Sequence, residues 1–189
     1  MQPSSIQYKL LEVSSMEEFA PYINSFAQAF STVFATPPYN EQFSVEDSIS
    51  LVEFHLETSH RYTLLAVEGN KVIGFGLASS VRNYPEITRQ IQGLLPPVRT
   101  HYFAELGVLP EYRQFGIGKK LIQSYFQWLQ DKNFHNIVIR ISDSLEAANK
   151  IFIDMGFEDM GVSMEISTQT TDGHIRSDKR KFLSRLVQK

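Results

Sequence analysis

The chain contains no cysteine, so disulfide cross-links, thiolate metal sites and cysteine nucleophiles are all excluded. It also lacks an apolar run of membrane-spanning length, and its opening, MQPSSIQYKLLEVSS, has no basic segment followed by an apolar one. A soluble cytoplasmic protein without a membrane partner is the default expectation. Positive charge is not in excess: the formal net charge is −3, which argues against nucleic-acid binding driven by overall charge. No block of Pro, Gly or Ser marks a linker, and no repeat or low-complexity segment interrupts the 189 residues. That length suits one well-cored unit and is short for two, so a single domain over 1–189 is expected.

What is present is an alternation of strand and helix patterns. Residues 6–13 read as a strand, and Ser14 and Ser15 with Glu17 and Glu18 form overlapping capping boxes that open a helix. Phe19, Ile23, Phe26, Phe30 and Val33 share one face of it, with Pro21 kinking or delaying its start. Ser44 and Asp47 begin a second helix. Residues 61–80 hold two β-rich runs around EGN, a hairpin signal, and HYFAELGV (101–108) is a further strand. A short helix is expected near 86–95. An amphipathic helix follows from Ile117, then the apolar strand NIVIRIS (136–142), then a helix ending at Gly156. Two closing strands flank a TDG turn, the last one strongly charged and therefore expected at a sheet edge. The sum is a mixed α/β domain with a glycine-containing loop at a central strand-to-helix turn.

That loop, YRQFGIGKKL (112–121), has two readings. Glycines occur there simply because tight turns need them. Alternatively, the unpaired amides and positive dipole end of the next helix suit a phosphate, with Arg113, Lys119 and Lys120 adding charge. A Walker A loop needs four residues between its glycines, and only Ile117 separates Gly116 from Gly118; a dinucleotide fingerprint needs a third glycine.

Val108, Pro110, Arg113, Gly116 and Gly118 instead give V-x-P-x-x-R-x-x-G-x-G. With AELGV before it, the amphipathic helix after it and AANKIFIDMGF downstream, the segment resembles the acetyl-coenzyme A loop of the GNAT superfamily of N-acetyltransferases. The resemblance implies a single-domain, mostly antiparallel sheet flanked by helices, with a central β-bulge and a V-shaped splay. It implies acetyl-CoA as cosubstrate, no metal, an amine acceptor on a small molecule or protein, and, from the family alone, a homodimer.

By the same resemblance, backbone amides of Arg113, Gln114, Phe115, Gly116, Ile117, Gly118 and Lys119 hold the pyrophosphate. Backbone groups around Leu106, Gly107 and Val108 pair with pantetheine. Glu105 is the candidate base, its alternative being a solvent-facing strand carboxylate, and His101, nominally on the same face, is either a proton relay or an exposed histidine. Where the family commonly has a tyrosine acid this chain has Phe152, which gives no proton; Ser142, Tyr102, Tyr39 or water then stand as substitutes. Asn149 is a further cofactor-side candidate on that helix. Phe34, Tyr39 and Phe43 with Glu41 form a candidate acceptor wall that would attract a cation, the alternative being a Pro-rich loop packed on the core. Phe152 also keeps open a non-catalytic acyl-CoA-binding or sensing module of the same fold.

Overall fold

In the computed structural model, which describes residues 6–187, the cap signals set the first helices. The amide of Glu18 donates to Ser15 Oγ, and its carboxylate accepts from the amide of Ser14 at 2.8 Å, so helix α1 (Met16–Phe19) starts there. Pro21 falls in a 3-10 turn, and the longer α2 (Ile23–Ala35) begins beyond it. Ser44 and Asp47 close a full capping box at the start of α3 (Val45–Glu57).

Strand β1 (Lys9–Glu12) precedes these helices; β2 (Tyr62–Glu68) and β3 (Lys71–Ser80) follow as a hairpin turning at Gly69 and Asn70. Then come α4 (Pro85–Ile91), β4 (Thr100–Val108), α5 (Ile117–Gln130), β5 (Asn136–Ser142), α6 (Glu146–Asp154), β6 (Glu158–Gln169) and β7 (Ile175–Leu186). The strands form one open seven-stranded sheet in the order β1-β2-β3-β4-β5-β7-β6, antiparallel except for β4 with β5. The expected mixed, mostly antiparallel sheet is present. Residues 1–5 and 188–189 of the expected 1–189 domain lie outside the described residues.

One strand departs from expectation. The charged β7 is not at an edge but lies between β5 and β6, and β6 forms the edge. Its charges are tolerated because Phe182 and Leu183 supply the core contact while the charged residues find partners: Arg180 pairs with Asp178 and Glu41, and Lys181 with Asp143.

Two helical layers sandwich the centre of the sheet. On one face Phe26 and Phe30 of α2 pack on Phe75 of β3, at ring distances of 5.2 and 5.4 Å. On the other, Phe103 of β4 stacks on Tyr125 of α5 at 4.7 Å. Each such fully buried ring contributes roughly 1.5–3 kcal/mol of transfer free energy. Gly107 is required by this packing, since a Cβ there would sit 2.3 Å from the Phe75 ring. No helix among the described residues is long and apolar enough to cross a membrane.

Candidate active site

Register places the site. Strand β4 pairs with β5 only at residues 100–102, while its pairing with β3 continues to Val108. Beyond Tyr102 the parallel pair therefore splays, and among the described residues one edge of β4 has no strand beside it. The amide of Leu109 donates to the Ile73 carbonyl at 3.0 Å, which fixes the phase of the ladder: the backbone groups of Leu106 and Val108 point into the splay. One of them is already engaged, because Arg113 Nε donates to the Val108 carbonyl at 3.1 Å.

At the end of β4 the chain passes through a 3-10 turn and reaches α5 with Gln114 at φ 68° and the N-cap Gly116 at φ 76°. Gly116 has no side chain to cap the helix, and among the described residues the amides from Gln114 to Lys119 find no intramolecular acceptor. Six clustered donors thus face outward at a helix N-terminus, an anion-favouring arrangement. The nearby cations contribute less than expected. Arg113 is turned inward, donating also to the Pro37 carbonyl and Thr36 Oγ1, and Lys120 lies over the Tyr8 ring at 5.3 Å. Lys119 stays exposed.

A bulge decides which way the candidate base faces. Leu77 pairs with Glu105 but Ala78 pairs with Phe103, leaving Ala104 as the extra residue. Phe103 and His101 point to the α5 face; Glu105 points to the α2 face. The expectation that His101 shares Glu105's face fails for this reason. His101 is also fully buried rather than exposed. Its Nε2 donates to the His60 carbonyl and its Nδ1 accepts from Tyr125 Oη, both at 2.7 Å, and burial pushes its pKa down to about 3. It is a neutral core residue.

Glu105 is half-buried and lines a cavity of about 130 Å³ that opens through the splay. Loss of water raises its carboxyl to about 7; Arg140 and then Arg180 oppose the rise, and Glu41 adds to it. A carboxylate poised there is half ionised at neutral pH, the condition under which a base works best. Phe152 of α6 and Phe34 of α2 line the same cavity. Phe152 packs edge-on against Phe157 and offers no proton. Asn149 is buried beside it, its Nδ2 donating to the Ser142 and Leu145 carbonyls at 2.9 Å, while its Oδ1 has no partner among the described residues.

The other predicted side chains divide. Ser142 lines the cavity, but its hydroxyl donates to Asp178 Oδ1 at 2.6 Å, so its proton is directed away from a leaving group. Tyr102 also lines it, packed edge-on to Tyr84, and burial pushes its phenol well up. Tyr39 is half-buried against Phe34 at 5.1 Å, with burial again raising its phenol. Glu41 is buried and paired with Arg180, burial raising its carboxyl and Arg180 countering. Its charge is taken up inside the protein, so the expected attraction of a cation by Glu41 does not hold. The loop carrying it is tied down, the amide of Gln42 donating to the Gln169 carbonyl at 2.8 Å.

Sequence reasoning missed the arginines. Arg140, Arg176 and Arg180 all line the cavity with Asp178. One signal was available: Arg140 interrupts NIVIRIS, a strand otherwise apolar enough for burial on both faces.

The family model described as acetyltransferase (GNAT) family matches residues 24–157. The chain belongs to this family. Among curated relatives of this GNAT chain, N-acetyltransferase 8F1 of Rattus norvegicus is 26% identical over 103 residues, spanning 54% of this chain and 42% of the rat protein. The match thus covers less than half of that relative. Among solved structures, an N-acetyltransferase from Staphylococcus aureus Mu50 aligns over 95% of this chain and 99% of its own, with TM-score 0.66 and 17% identity. A putative acetyltransferase from Salmonella typhimurium, solved with its cofactor acetyl-CoA, aligns over 97% and 96%, with TM-score 0.67 and 13% identity. At such identities the likeness establishes a shared GNAT fold.

Proposed function

We propose that this GNAT chain transfers the acetyl group of acetyl-CoA directly to a primary amine, with Glu105 as the base. The observation that carries the reading is the conjunction at one splay: among the described residues, six unpaired amides at the mouth of α5 and a free β4 edge, together with a carboxyl raised to about 7. The residues present fit the cosubstrate's chemistry. The amides suit its pyrophosphate, the groups of Leu106 and the Val108 amide suit its pantetheine amides, and the unpartnered Asn149 Oδ1 suits a further donor.

In the reaction the amine nitrogen forms a bond to the thioester carbonyl carbon, its proton passes to Glu105, and the C–S bond breaks to release thiolate. A β4 amide in the splay polarises the carbonyl. Phe152 supplies no acid, yet a thiol of pKa near 8.5 is a competent leaving group as thiolate near neutral pH, so water suffices to protonate it afterwards. The alternative, an acyl-CoA-binding module without turnover, is favoured by Phe152 alone. Release of free coenzyme A in the presence of a panel of amines separates the two. Turnover lowered about 100-fold by Glu105→Gln supports the enzyme, and coenzyme A binding without turnover on any amine supports the module.

A further inference from the structure

Three guanidinium groups reach the cavity, and they differ in what already holds them. Arg180 sits between Glu41 and Asp178, 2.8 Å from the latter. Arg176 is exposed and donates to the Tyr39 carbonyl at 3.1 Å. Arg140 is part-buried, and among the described residues it makes no ion pair; its one hydrogen bond goes from Nη1 to Met164 Sδ at 3.5 Å, a weak acceptor.

Position makes that vacancy meaningful. Tyr102 pairs with Val138, so alternation puts Arg140 on the same sheet face as Tyr102 and, past the bulge, Glu105. Arg140 and Glu105 flank the opening of the splay from its two strands, and both line the cavity. An amine arriving alone would add positive charge beside a guanidinium that has no direct ion-pair partner among the described residues and faces only the partly ionised Glu105. An acceptor that brings its own carboxylate removes the conflict, because the planar fork of arginine matches a carboxylate bidentately. The Phe34 and Tyr39 rings wall the cavity, and about 130 Å³ leaves room for a compact molecule. Resting on the N-acetyltransferase reading, we infer that the acceptor is a small amino acid-like compound whose carboxylate is bound by Arg140 while its amine faces Glu105.

The test compares amino acids with the amines made by removing their carboxyl group, as matched pairs, by coenzyme A release. Wild type prefers the carboxylate member by tenfold or more in kcat/KM, chiefly through KM, and Arg140→Gln brings the members within about threefold. Arg140→Lys, which keeps the charge without the fork, retains part of the preference. Because Arg140 also opposes the raised pKa of Glu105, Arg140→Gln moves the pH limb of both members upward, and the ratio within each pair cancels that shift. Equal rates within pairs in wild type, or a preference that survives Arg140→Gln, overturns the inference. If the protein binds coenzyme A but turns over nothing, the enzyme reading fails separately. The same pairs titrated into the coenzyme A complex then decide by Kd, with no carboxylate preference, or one independent of Arg140, refuting the site.

Discussion

The two faces of the β4/β5 splay use different materials. On the α5 side the groups offered to a ligand are backbone: outward amides from Gln114 to Lys119 and the free edge of β4. On the α2 side they are side chains, Glu105 and three arginines, that line one cavity. Two residues of one strand show the contrast. His101 and Glu105 both lose solvent, which disfavours the charged form of each: the base His101, held by two hydrogen bonds, falls to about 3, and the acid Glu105, lining the cavity, rises to about 7. A single extra residue, Ala104, sends them to opposite faces. Under the proposed reading, one face holds the cosubstrate while the other is free to specialise.

The division can be broken from either side. Glu105→Gln should lower kcat/KM for the amine by about 100-fold while leaving the coenzyme A dissociation constant within about twofold, measured by steady-state kinetics and calorimetry. Gly118→Val should do the reverse, weakening coenzyme A by about tenfold or more. A Cβ at Gly118 meets only Val108 Cγ2 at 3.7 Å, so the fold should tolerate the change while ligand approach to the amides is blocked.

Stability sharpens the comparison, since burial acts oppositely on the two groups. Glu105's folded pKa lies above its unfolded value of 4.5, so its favourable neutral state is fully present below pH 4.5 and lost as pH rises through about 7. Glu105→Gln should thus be more stable than wild type above pH 7 by about 1–3 kcal/mol, with the difference vanishing near pH 4 in thermal melts. His101 runs the other way: its folded pKa is depressed, so stability falls as pH drops from 6.5 toward 3, and His101→Gln should flatten that slope. The smallest effect is expected at Phe152. If thiolate leaves without a dedicated acid, Phe152→Tyr should change kcat by less than about threefold, and a much larger rise would mean that the native chain lacks a needed donor.

Much of the loop geometry on the proposed cofactor side was legible because its signals are local. V-x-P-x-x-R-x-x-G-x-G and the flanking strand and helix lie within one short stretch, and backbone chemistry needs no distant partner. The acceptor side was less legible because it is assembled by register. Arg180 meets Glu41 across 139 residues, and Asp178 meets Ser142 across 36. Strict alternation along 101–108 placed His101 beside Glu105; the resemblance implied a central bulge after Glu105, whereas the extra residue is Ala104, before it. The charges of β7 suggested an edge strand, whereas the partners that admit them to the interior come from the loop at Glu41 and from Asp143 after β5.

The most direct test of this asymmetry needs no acceptor. Carbon-13 labelling of glutamate side-chain carboxyls, followed by NMR titration of the coenzyme A-free protein, should show one carboxyl with a midpoint near 7 that disappears in Glu105→Gln. A Glu105 resonance that titrates in the ordinary carboxylate range near 4.5 would contradict the account of Glu105 as a base held ready by burial.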